Sequence, residues 1–138
     1  MGHYNAGAES DKFKAFTLRA KIGKFNSIPT ETSTLSVLSG MPGGVLSIAA
    51  NDRQAGSGVV WTSHPLEDNA ELKTVKGILR AFDVSNVGRK LWNSETNPAR
   101  DRAGLYLKYN PAIIVNEKVY LPNSSKWRIV YGLLPSNR

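Results

Sequence analysis

Short apolar runs, each cut off within a few residues by Gly, Asn, Asp, Ser or Pro, are what most limits the folds open to this chain. No long stretch repeats apolar residues at i, i+3, i+4 and i+7, so amphipathic helices are not expected. The runs have strand length and are rich in β-branched and aromatic residues, which is the pattern of an all-β protein. The clearest are 12–18, 44–50, 58–62, 77–82, 89–93, 112–115, 118–121 and 127–133, with weaker ones at 3–5 and 22–28. The links between them carry turn chemistry. Asn116-Glu117 is a two-residue connection of the hairpin kind. In 83–88, Asp83 can accept backbone N–H groups, and Gly88 can take a positive φ where the chain turns back. Residues 51–56 are expected to form a similar turn. The longer polar segments 63–76 and 94–108 read as loops rather than linkers, so one domain is expected.

Self-similarity narrows the class further. Phe13-Lys14-Ala15-Phe16, Leu79-Arg80-Ala81-Phe82 and Arg128-Ile129-Val130-Tyr131 each end a short strand in an aromatic. The stretch from Val45 to Asn51 followed by Val59-Val60-Trp61 is similar to Ala112 to Asn116 followed by Val119-Tyr120-Leu121. Four short strands in roughly 40–50 residues are what a β-propeller blade requires. Residues 43–52, 57–63, 76–83 and 88–93 then read as strands A to D of one full blade within 43–93. Residues 1–36 read as a partial blade before it, and 109–134 as a partial blade after it. The expected fold is all-β, a partial propeller of about two to three four-stranded blades within a single domain.

At Ala81-Phe82-Asp83 and Gly88-Arg89-Lys90-Leu91-Trp92 the pattern resembles the blade repeat of pyrroloquinoline-quinone-type propellers. Asn116-Glu117-Lys118-Val119-Tyr120-Leu121 looks like the hairpin between strands A and B of that repeat, with Glu117 where Gly is usual. Asn97-Pro98-Ala99-Arg100-Asp101 and Val130-Tyr131-Gly132-Leu133 look like the last blades of bacterial quinoprotein-like proteins of unassigned role. The resemblance extends over most of residues 11–134. It implies repeat-forming, structural roles for Asp83, Gly88, Trp92, Asn116 and Tyr120. It also implies a ring of about six to eight blades, more than this chain holds. Open sheet edges and apolar faces then favour completion by homo-oligomerisation, several chains forming a composite ring. A compact sandwich or barrel is the alternative.

The sequence contains no cysteine, so disulfides, thiolate catalysis and Cys-based metal sites are excluded. Its two histidines, His3 and His64, are far apart, and no metal ligand set or cofactor is expected. No pair of carboxylates is spaced for acid–base work, so no catalytic residue is assigned and the reading leans away from an enzyme. Candidate ligand-binding residues are Arg100, Asp101 and Arg102, where an Asp between two Arg can fix a loop or present guanidinium groups to an anion. His64, before Pro65 in a polar stretch, is a further candidate, with a solvated loop histidine as the plainer reading. Trp61, Tyr120, Trp127 and Tyr131 are expected to fill the space between sheets.

The net charge is +7, and Lys12, Lys14, Arg19, Lys21 and Lys24 are not interrupted by an acid. A polyanion could bind there, but the aromatics fall in no single-strand or RNA-binding motif, so nucleic acid is not the expected partner. No apolar run nears the roughly 18 residues of a membrane span. The polar start, Met1 to Gly7, lacks the apolar core of a signal peptide, so the chain as given is expected in the cytoplasm. Removal of a leader would make it periplasmic or secreted. Function is expected to be that of a non-catalytic binding or scaffold module, with a small anionic or sugar ligand as a candidate. The alternatives are a fragment or relative of a quinone-dependent dehydrogenase, and an anion or nucleic-acid binder using the basic N-terminal region.

Overall fold

The computed structural model describes residues 3–6, 8, 10–38 and 43–133. Those residues form three antiparallel sheets and one helical turn. The first sheet contains β1 (His3–Ala6), β2 (Lys12–Arg19), β3 (Lys24–Phe25) and β4 (Glu31–Ser36). β2 is its centre, with β1 along one edge and both β3 and β4 along the other. The break between β3 and β4 contains Pro29, which has no N–H to donate. Asn26 and Thr30 carry the ladder past it by donating to the carbonyls of Thr17 and Ala15.

The central sheet is a four-stranded meander of β5 (Val45–Ala49), β6 (Val59–Pro65), β7 (Gly77–Asp83) and β8 (Asn86–Asn93). β5 and β7 fall within the stretches 43–52 and 76–83 assigned above, while β6 runs two residues past 57–63 and β8 begins two residues before 88–93. The third sheet contains β9 (Ile113–Val115), β10 (Lys118–Pro122) and β11 (Arg128–Tyr131), in the order β11-β10-β9. Its first turn has both central residues at positive φ, 49° at Asn116 and 59° at Glu117, the type I′ geometry that suits a two-residue hairpin. The helical turn is α1 (Pro98–Asp101), with Pro98 in its first turn, where a missing N–H is harmless.

The central sheet is packed on both faces, which explains why β7 is apolar and buried almost throughout. Val60 and Phe82 on one face meet Phe13 and Val37 of the first sheet region, with Leu35, Leu46 and Val84 around them. On the other face, Leu79, Trp61 and Trp92 meet Val119, Leu121, Ile129 and Tyr131 of the third sheet. β4 runs beside β8, and β9 beside β5, where the Ser47 hydroxyl donates to the Ala112 carbonyl at 2.6 Å. A smaller cluster of Ala70, Val75 and Tyr106 ties the two long loops together. There Gly77 donates to the Gly104 carbonyl, and a Cβ on Gly77 would lie 3.2 Å from the Tyr106 Cα, so glycine is the residue that fits. No helix among the described residues is long and apolar enough to cross a membrane.

Candidate functional site

Period-2 alternation sends Trp61 on β6 and Leu79 and Ala81 on β7 to the face that meets the third sheet. Trp92 on β8 stands opposite Ala81, and Tyr131 comes across from β11. Their rings form an edge-to-face series, Trp61 to Trp92 at 6.1 Å and Trp92 to Tyr131 at 5.3 Å between centroids. These aromatics and Val119, Ile129 and Leu133 line a cavity of about 410 Å³. Arg100 and Asp101 of α1, with Glu117 of the hairpin, supply its polar lining.

The polar groups are held firmly. Arg100 grips the Asp101 carboxylate through Nε at 2.5 Å and Nη2 at 2.6 Å. This two-pronged contact holds the Asp101 carboxyl below the usual carboxylate range. The Tyr131 hydroxyl donates to the Asp101 carbonyl at 3.0 Å, joining the helical turn to the third sheet. Burial pushes the Tyr131 phenol up, with Asp101 and Glu95 adding to the effect, so it remains a neutral donor. Arg100 is therefore already neutralised within the chain by Asp101, and the charge left in the lining is the Glu117 carboxylate, which does not favour an anion.

No protein-family model, curated protein or solved structure matches this chain.

Of the residues singled out from sequence, Arg100 and Asp101 reach the cavity, while Arg102 is exposed and takes no part in its lining. His64 lies on the opposite face of the central sheet and is not a solvated loop residue. β6 continues through Pro65, which pairs with Gly77, so His64 sits in the ladder and is buried. Asp83 caps its turn as expected, accepting the Ser85 N–H at 2.8 Å. Gly88 differs from expectation: the chain turns at Val84-Ser85, and Gly88 lies inside β8 without a positive φ. It accommodates a register shift, donating to Asn86 Oδ1, with the Thr32 carbonyl 3.6 Å from where a Cβ would sit. Asn116 holds the type I′ turn. Tyr120 points away from the central sheet, because Val119 and Leu121 take the inward positions, and Trp127 is 73% exposed, so neither fills the space between these sheets.

The basic stretch does not form one continuous platform. Lys14 pairs with Asp11 at 2.6 Å and Arg19 donates to Asn26, while Lys12, Lys21 and Lys24 are exposed on β2, its following turn and β3. Among the described residues, no group of three or more His, Asp and Glu is gathered to hold a metal ion. Sequence reasoning missed Glu117 as a cavity residue and missed Arg80 altogether. The signal for Arg80 was present: it is the one charged residue inside the otherwise apolar run Gly77-Ile78-Leu79-Arg80-Ala81-Phe82.

Proposed function

We propose that this chain is a non-catalytic binding module of stacked, blade-like sheets that takes a small neutral polyhydroxylated ligand, such as a sugar. The observation that carries the reading is the cavity between the central and third sheets. It combines aromatic rings with an ion pair that is satisfied internally, in a volume normal for small-molecule sites. A sugar ring offers C–H groups to aromatic faces and hydroxyls that both donate and accept. A free anion would have to displace Asp101 from Arg100, which disfavours anionic ligands here. Titration with neutral sugars and matched sugar acids, read by tryptophan fluorescence, tests this. Saturable shifts with a neutral sugar, weakened in Arg100→Gln and not bettered by the acid, are expected. No response to any neutral sugar, or tighter binding of the acid, contradicts it.

The quinone-dependent reading requires a quinone with a divalent cation. The described residues do not fit the cation, since no carboxylate cluster is gathered for it.

The stacking also supports a partner, a second copy of the same chain. Phe82 faces the sheet before it, and Tyr131 likewise faces the central sheet. Phe16, at the matching place in the first sheet, lies on that sheet's outer side, since Phe13, Ala15 and Thr17 point inward. Trp61 faces the sheet that follows, and its equivalent in the third sheet is Tyr120. That outer face is apolar, with Ile113, Tyr120 and Val130 in one cross-strand row and Ile113 and Val130 exposed by 60% and 49%. A head-to-tail contact of this face with the Phe16 face of another copy repeats the arrangement used twice inside the chain, and closes into a ring if the rotation allows.

A further inference from the structure

Three polar atoms on the face of the central sheet that looks toward the first sheet are buried without a hydrogen-bond partner. They are Thr62 Oγ1, His64 Nε2 and Arg80 Nη1. Thr62 and Arg80 are directly opposite in the β6–β7 ladder, and His64 follows Thr62 by two residues, so all three side chains emerge on one side. Thr62 is 0% and His64 1% exposed. Among the described residues no carboxylate pairs with Arg80. Buried polar groups are rarely left so, and a partly buried guanidinium without a counter-charge more rarely still. A trapped water would satisfy the hydrogen bonds but leave the positive charge of Arg80 without a partner.

The protonation of His64 defines the missing group. Its Nδ1 lies 2.7 Å from the Pro65 carbonyl, which can only accept, so Nδ1 carries the hydrogen and Nε2 presents a lone pair. Arg80 is the charged group that acts on the ring, from β7. β2 contributes the Phe13 ring at 6.1 Å, and Ile78 stands opposite in the ladder. The site therefore needs negative charge for Arg80, oxygen for the Thr62 hydroxyl, and a hydrogen to give His64.

We infer that Thr62, His64 and Arg80 form a site for a small oxyanion that still carries a hydroxyl, of the inorganic phosphate type. Its charged oxygens accept from Arg80 and Thr62, and its hydroxyl donates to His64 Nε2. Sulfate has the same shape but no hydrogen to give at neutral pH, and it leaves two acceptors facing each other.

The test is titration of the full chain with inorganic phosphate and with sulfate at matched ionic strength. The His64 ring resonances and the melting temperature are followed together. At pH 7 phosphate is expected to shift the His64 signals saturably and raise the melting temperature, with sulfate at least about tenfold weaker. At pH 5 sulfate gains, because His64 takes up a proton as it binds. Thr62→Val, which keeps the side-chain shape, weakens phosphate by about tenfold, and Arg80→Gln abolishes the response. No saturable shift of His64, equal binding of the two anions at pH 7, or full phosphate binding in Arg80→Gln each overturns the inference.

Discussion

Glu117 carries local strain that its neighbour Asn116 does not. Both have positive φ, but Asn tolerates the left-handed region while a Glu there costs about 1 kcal/mol or more. Glu117→Gly should therefore raise stability by about 1 kcal/mol in urea unfolding. A loss instead would mean that the Glu117 side chain over the cavity contributes more than the turn costs. His64 sets the pH behaviour. Burial, reinforced by Arg80, lowers its pKa to about 4 from 6.5. Between those values the unfolded chain binds the proton and the folded chain does not, so stability is full above about 6.5 and falls as pH drops toward about 4. His64→Gln should flatten that slope between pH 6.5 and 5, as read from denaturant midpoints against pH. At this scale, turn chemistry was legible because it is local: Asp83 and Asn116 act within a few residues of themselves. Gly88 was not, because its role depends on the Thr32 carbonyl coming from another sheet.

Strands with apolar alternation were legible in position, and strands defined by their neighbours were not. β4, Glu-Thr-Ser-Thr-Leu-Ser, has almost no apolar signal. It forms because β2 offers an edge, and because the buried Ser33 hydroxyl accepts from the Phe13 N–H at 3.0 Å. Face assignment was the harder part. The similarity that pairs Val59 with Val119 is one residue away from the observed equivalence of Val60 with Val119, and one residue reverses every side chain. With the register corrected, Trp61 and Tyr120 occupy matching places, one buried by a following sheet and the other not. The aromatic junction between the central and third sheets should be a main source of stability. Trp92→Ala, which removes both edge-to-face contacts, is expected to cost about 3–5 kcal/mol in denaturant unfolding. A loss under about 1 kcal/mol would show that the third sheet is held mainly by its other contacts.

The whole molecule is a stack of three sheets in which only the central one has both faces covered within the described residues. The all-β class and the strands of the central and third sheets could be read from the sequence, while β4 of the first sheet could not. How the sheets face one another could not, because packing order depends on contacts between residues far apart in the chain. Each interface inside the stack places the aromatic of one sheet against the sheet before it, and the two end faces carry the matching residues with no sheet against them. The chain is therefore expected to complete the series with further copies of itself. Exposed Lys12 on one end face and Lys118 and Arg128 beside the other make the approaching rims alike in charge, so added salt should strengthen association rather than weaken it. The deciding measurement is absolute mass in solution by light scattering, made on the wild-type chain and on Tyr120→Lys. A discrete wild-type oligomer that Tyr120→Lys reduces to a folded single chain is expected. A wild-type protein that remains a single chain at high concentration and high salt would contradict it.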